Sequence, residues 1–187
     1  MSVKCDVYTL EHANISHSVT LVPRLEYSIN LLDDIVVVLK KKRHDLKKSN
    51  RSLIVDFDET DNSHLKAIEL ERIMTFSLEI LSQIKKRTGR ISGVNSIHEV
   101  FPTTIPLIRT VSAQLFDIVP NCSQKLSELS VHLGSIVLDS AALTNTKFDF
   151  NQSNEESSAL LNEVKLMVDS KINKRYPNLD FFKVCNT

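Results

Sequence analysis

No tryptophan occurs in the 187 residues of this chain, and glycine occurs only three times. Glycine averages ~7% of a globular chain, and α/β enzymes place it where strand turns into helix and where backbone meets phosphate. Its scarcity argues against a Rossmann-like or barrel enzyme and favours helices. Cysteine is as sparse: Cys5, Cys122 and Cys185 are odd in number and far apart. That excludes a disulfide framework and suits a reducing, intracellular setting. No basic segment followed by a long apolar run opens the chain, so no secretory signal is expected. The longest unbroken apolar run, Ile35 to Leu39, has five residues, against roughly 20 needed to span a bilayer. One domain with its own core is expected at this length.

What is present is helical periodicity. Leu25, Ile29, Leu32, Val36, Leu39, Arg43, Leu46, Asn50 and Leu53 follow alternating spacings of four and three, apolar at seven of nine positions. This predicts a helix of about 30 residues that packs on another helix, with Pro23 in its first turn. Arg43 and Asn50 interrupt the seam, so packing should loosen there. Residues 1–22 form a tail to which no structure is assigned. The turn-rich stretch 55–63 separates this helix from a second, Ser63 to Arg87, carrying Leu70, Ile73, Ile80 and Ile84, with Ile68, Met74, Phe76 and Leu81 widening the stripe. A broad stripe suits a helix with several neighbours. The two helices would make an antiparallel hairpin about 40 Å long.

Beyond Gly89–Gly93, Pro102 and Pro106 predict short helical pieces rather than one helix. A helix from Pro106 to Val119 then meets Pro120, which opens another with Leu126, Leu129, Leu133, Ile136 and Val137 as its apolar face. Residues 144–152 read as a polar linker. Ser153 and Glu156 have capping-box spacing and open a last helix whose face is Leu160, Leu161, Val164, Met167, Val168 and Ile172, stopped by Pro177. The chain thus divides into a tail (1–22), a helical core (23–143), a linker (144–152) and a C-terminal regulatory helix and tail (153–187).

Catalytic patterns fail on context. Leu53 to Thr60 resembles the first motif of haloacid dehalogenase-type phosphatases, with Asp56 as nucleophile and Asp58 as acid/base. That chemistry needs a buried strand before the motif and glycine-bearing crossovers, whereas heptad helix precedes it here. No phosphate-binding glycine loop, nucleophile elbow, Cys-x-x-Cys or His-Glu-x-x-His is present. The six histidines share no ligand spacing; Cys5, His12 and His17 fall short of convergent zinc ligands. Neither catalysis nor a cofactor is expected, and no residue is assigned a catalytic or metal-binding role.

The charges are more informative. Lys40, Lys41, Lys42, Arg43, Lys47, Lys48 and Arg51 give residues 35–55 a net +6, and Lys85, Lys86, Arg87 and Arg90 close the second helix. Residues 56–71 carry −5 and residues 111–170 carry −5. A solvated helix face accounts for such runs in many proteins. The functional readings are an anionic membrane surface or, as an alternative, DNA bound by a helical chromatin-organising protein. Segregated blocks of opposite charge also favour self-association.

Several of these segments together resemble a known family. His98-Glu99-Val100-Phe101-Pro102 with the apolar stretch to Arg109, the run Leu115 to Pro120, the helix Lys125 to Leu138, and Arg175-Tyr176-Pro177-Asn178-Leu179 are similar, in order, to archaeal ESCRT-III cell-division proteins of the CdvB type. The resemblance spans roughly residues 24–182. It implies an all-α, ESCRT-III-like core: a long antiparallel helical hairpin with shorter helices packed along it. It further implies a cytoplasmic, peripherally membrane-associated subunit that polymerises with itself and other CdvB-type subunits, remodelling membrane in cell division or budding. Lys40, Lys41, Lys42, Arg43, Lys47, Lys48, Arg51, Lys85, Lys86 and Arg87 would then meet membrane or a neighbouring subunit. Leu25, Ile29, Leu32, Val36, Leu39, Leu46, Ile73, Ile80 and Ile84 would form the hairpin seam. The face Leu160, Leu161, Val164, Met167, Val168 and Ile172 would be autoinhibitory. Ten residues follow Pro177 without a proline-rich ATPase-binding motif, so a Vps4-type AAA ATPase would act through partner subunits. Nucleic acid is disfavoured.

Overall fold

The computed structural model of the chain describes residues 15–53, 62–91, 94–144 and 150–177, with side chains described for 23–50, 65–91, 97–142 and 151–177. The described residues are all-α, without a strand among them. Five helices follow in order: α1 (Ile15–Leu53), α2 (Asn62–Thr88), α3 (Val94–Leu115), α4 (Pro120–Thr144) and α5 (Phe150–Arg175). Helices α1 to α4 form a ring in which each packs on the next and α4 returns to α1, while α5 lies against α2 and α3.

Polar contacts set the directions. Asn50 meets Glu71 and Asp33 meets Lys85, so α1 and α2 run antiparallel. Arg24 of α1 bonds Asp139 of α4 at 2.6 Å, and the Tyr27 and His132 rings meet edge to face. At the turn between α3 and α4, the Ser112 and Ser123 hydroxyls each donate to the other's carbonyl at 2.7 Å. Small side chains there let the helices approach while both serine hydroxyls are satisfied.

Burial follows this topology. In α1 the seam residues Leu25, Leu32, Val36 and Leu39 are buried, while Ile29 and Leu46 are half-buried. Helix α2 touches α1, α3 and α5, which is why its stripe is broad: Ile68, Met74, Phe76, Ile80, Leu81 and Ile84 are all buried, and Ile73 is half-buried. In α5, Val164, Val168 and Ile172 are buried, with Leu160, Leu161 and Met167 packed against the core.

Several boundaries depart from expectation. Helix α1 begins at Ile15, so residues 15–22 are helical and Pro23 lies inside the helix instead of opening it. Pro102 and Pro106 do not break the chain into pieces; both lie inside the continuous α3. Tertiary burial outweighs their cost: Ile97, Phe101, Leu107, Ile108, Val111 and Leu115 of this helix are at most 1% exposed. Spaced by four, the prolines share one side of α3. The Thr103 carbonyl on that turn accepts the Ser157 hydroxyl of α5 at 2.9 Å. Helix α5 opens at Phe150, so residues 150–152 of the expected linker are helical; Ser153 is an interior residue whose carbonyl accepts from Ser157. The helices expected to be short are 22 to 26 residues long beside 27 for α2, and only α1, with 39, stands apart.

The ring's interior is apolar and tightly filled. Ile84 has no exposed surface and faces a small void lined also by Leu25, Leu32, Phe101, Ile108, Leu129 and Leu133. Truncating Ile84→Ala should therefore cost about 2–5 kcal/mol. Leu138→Ser, on a side chain 66% exposed, should change stability by less than about 0.5 kcal/mol. Urea unfolding followed by circular dichroism checks both.

Candidate functional site

Two features stand out, one on the surface and one buried. The surface feature is the outward side of α1. Lys40, Lys41 and Lys48 are exposed on it; Lys42, also exposed, turns towards Cys122 of α4, and Arg43 and Lys47 are half-buried. The side chain of Arg51 lies outside the described residues. Lys85 and Lys86 are exposed and Arg87 half-buried; Lys85 is held at 2.5 Å by Asp33. That contact places Lys85 about 10 Å up the α1 axis from Lys40 and neutralises its charge locally. Arg90 is exposed just beyond this cluster.

The acidic blocks are less available than their sequence positions suggest. Glu69 pairs with Arg72, which also reaches Asp169 at 3.5 Å; Asp139 pairs with Arg24; Glu71 is buried. Asp117, Glu128, Glu155 and Glu163 remain exposed. Part of the acidic charge expected to meet a neighbouring subunit is therefore engaged within the chain.

The buried feature went unforeseen in the sequence. Glu71 of α2 has 0% exposure. Its Oε2 accepts hydrogen bonds from Asn50 Nδ2 at 2.9 Å and from the Tyr176 hydroxyl. Its Oε1 lies 3.1 Å from Arg175 Nη1, a charge contact without an aligned hydrogen bond. The second Asn50 amide hydrogen is satisfied by the Ala67 carbonyl at 3.2 Å. Arg175 also stacks 5.6 Å from the centre of the Tyr176 ring. Three distant segments thus converge on one carboxylate: the far end of α1, the first half of α2, and the last residue of α5 with Tyr176 just after it. The only trace in the sequence was Asn50, a polar residue at a seam position; rather than loosening the packing there, it spans it.

Burial, reinforced by the hydrogen bond to Glu71 and its negative charge, pushes the Tyr176 phenol up to about 12. Burial lowers His98 and raises the Cys122 thiol, so Cys122 behaves as a small apolar core residue. Among the described residues, no group of three or more His, Cys, Asp or Glu is placed to hold a metal ion. No helix among them is long and apolar enough to cross a membrane. Asp56, Asp58, Cys5, His12 and the His17 side chain lie outside the described residues; the chain just before Asp56, through Leu53, is helical. No protein-family model and no solved structure matches the chain.

The Tyr176 hydroxyl bond has a definite pH signature. An unfolded tyrosine loses its proton near pH 10, whereas the folded one keeps it to about 12. Its stabilisation is therefore complete below pH 10 and is lost as pH rises from 10 to 12. Tyr176→Phe should cost about 1.5–3 kcal/mol at pH 8 and flatten the loss of stability across that alkaline window. Denaturant unfolding of both proteins at pH 8, 10 and 11 checks it.

Proposed function

We propose that this chain is an ESCRT-III-like subunit that assembles with its own copies on an anionic membrane surface and remodels it. The carrying observation is the outward side of the longest helix, where Lys40, Lys41 and Lys48 stand exposed together. Near an acidic leaflet each basic residue contributes about 1 kcal/mol. Three give ~3 kcal/mol, enough to concentrate the protein on such a surface and to make its binding salt-sensitive. The work would be mechanical: burial of side-chain faces between subunits, rather than bond chemistry, supplies the energy.

In this reading α5 is the regulatory element. Its apolar face covers α2 and α3, and its end is tied to Glu71. Leaving that position would uncover Val164, Val168 and Ile172 together with the α2 and α3 surfaces they bury, an apolar area fit for another subunit. Polymerisation with CdvB-type partners, and disassembly by an AAA ATPase reached through them, follow from the same resemblance. A role in cell division or budding and a cytoplasmic location belong to it as well.

Sedimentation with phosphatidylserine-containing vesicles tests the reading. The wild-type chain should pellet at low salt and be released at high salt, and Lys40→Glu/Lys41→Glu/Lys48→Glu should stay in solution while remaining folded. Pelleting with neutral vesicles alone, or retention by duplex DNA in place of vesicles, would refute it. In the full chain, Glu71→Gln removes the charge that holds Arg175. It should increase filament formation seen by electron microscopy on the same vesicles.

A further inference from the structure

Two valines on the outward side of α1 sit where the bundle cannot use them. Val37 is 66% exposed and Val38 44% exposed, while their neighbours Ile35, Val36 and Leu39 face the core. A single exposed valine is ordinary. Here two adjoin the start of the basic stretch. At 100° per residue, Val37 falls on one line of the helix with Lys41, His44 and Lys48, all exposed. Lys40 and Val38 flank that line on either side. Glu26, Asp34 and Asp45 are the exposed acids sharing the face, and from Val37 onwards the lysines outnumber Asp45.

We infer that α1 lies along an acidic bilayer, with Val37 and Val38 entering the boundary between headgroups and acyl chains and with Lys40, Lys41 and Lys48 on lipid phosphates. This rests on the membrane reading above and adds its orientation and depth. An acidic bilayer offers both halves of the footprint at once, anions at the surface and hydrocarbon just beneath. Duplex DNA offers the phosphates but sets a hydrated backbone against the valines. A second copy docked through the same face would oppose lysines to lysines. Long lysine stems reach outward from a shallowly seated helix, so the valines descend without drawing the charges below the headgroups.

The absence of tryptophan from the chain makes the test direct. The full chain carrying Val37→Trp, or separately Val38→Trp, holds one tryptophan, with Leu166→Trp as a control on α5, where the native side chain is 72% exposed. Mixed with phosphatidylserine vesicles, the two α1 reporters should shift to the blue and be quenched by brominated lipid, while the control should do neither. Val37→Asp/Val38→Asp should lower partitioning onto those vesicles by about tenfold or more, with an unchanged helical spectrum. Vesicle binding by wild type without quenching at either α1 position would overturn the inference and leave the membrane reading standing. Binding of duplex DNA, or of nothing, in place of vesicles would overturn both. A blue shift that grows with protein concentration before vesicles are added would assign this face to a second copy, and the inference would fall.

Discussion

A carboxylate with no exposed surface must be matched from inside the protein, and Glu71 sets that requirement for the whole chain. Stripping an ionised group of water costs several kcal/mol, even after relaxation, unless charge and hydrogen bonds replace the water. Replacement comes from Asn50, Tyr176 and Arg175, which belong to different helices or helix ends. Their positions are therefore coupled. The register of α1 against α2 must present Asn50, and the end of α5 must arrive with both its arginine and its tyrosine. An apolar core tolerates small slips because hydrophobic contact is non-directional, whereas a carboxylate with three assigned partners does not.

Helix α5 is held by a polar contact at each end and an apolar face between them. At its start, Ser157 donates to the Thr103 carbonyl while Thr103 donates to Glu156 at 3.2 Å, on the turn of α3 where the two prolines remove backbone donors. At its end stands the Glu71 group. Between them Val164, Val168 and Ile172 supply the burial. This division of labour has a physical basis. Apolar area gives most of the free energy but little direction, and the two polar ends select one register among those the apolar face would allow. An element held this way would come off as a unit, because losing the polar contacts at one end leaves the apolar face without its register.

The sequence was most legible where periodicity alone decides. The 4,3 spacing of Leu25, Leu32, Val36 and Leu39 marked a buried seam, and the widened stripe of α2 marked a helix with more than one neighbour. Pro120 and Pro177 stand where proline's missing N–H would place them, at the opening of α4 and just past the end of α5. Legibility failed where a tertiary contact overrules a local preference. Pro102 and Pro106 are poor helix residues, yet a helix with six residues almost wholly buried keeps them. Ser153 and Glu156 have the spacing of a helix start but sit inside α5, because the capping preference is worth only about 1 kcal/mol and is outweighed by the packing of the helix beyond it. The Glu71 group was illegible for a further reason. Its members lie 21 and 105 positions apart in the chain, and nothing in local pattern distinguishes a glutamate that faces water from one that faces Tyr176.

The balance of 23 basic against 23 acidic residues takes on a sharper meaning in three dimensions. Neutrality first suggested two opposed blocks, each free to meet a neighbour. In the folded chain the two sides are treated differently. Glu69, Glu71, Asp139 and Asp169 face arginines of the same chain, so their fields largely close on themselves. Lys40, Lys41 and Lys48 remain in solvent on one side of α1, with Asp45 beside them as the nearest exposed acid. A chain with no net charge can then present a positive face at short range, because the compensating charge is internal or dispersed. Beyond a Debye length of about 8 Å at physiological salt that face is screened, so its field acts at short range and not by long-range steering.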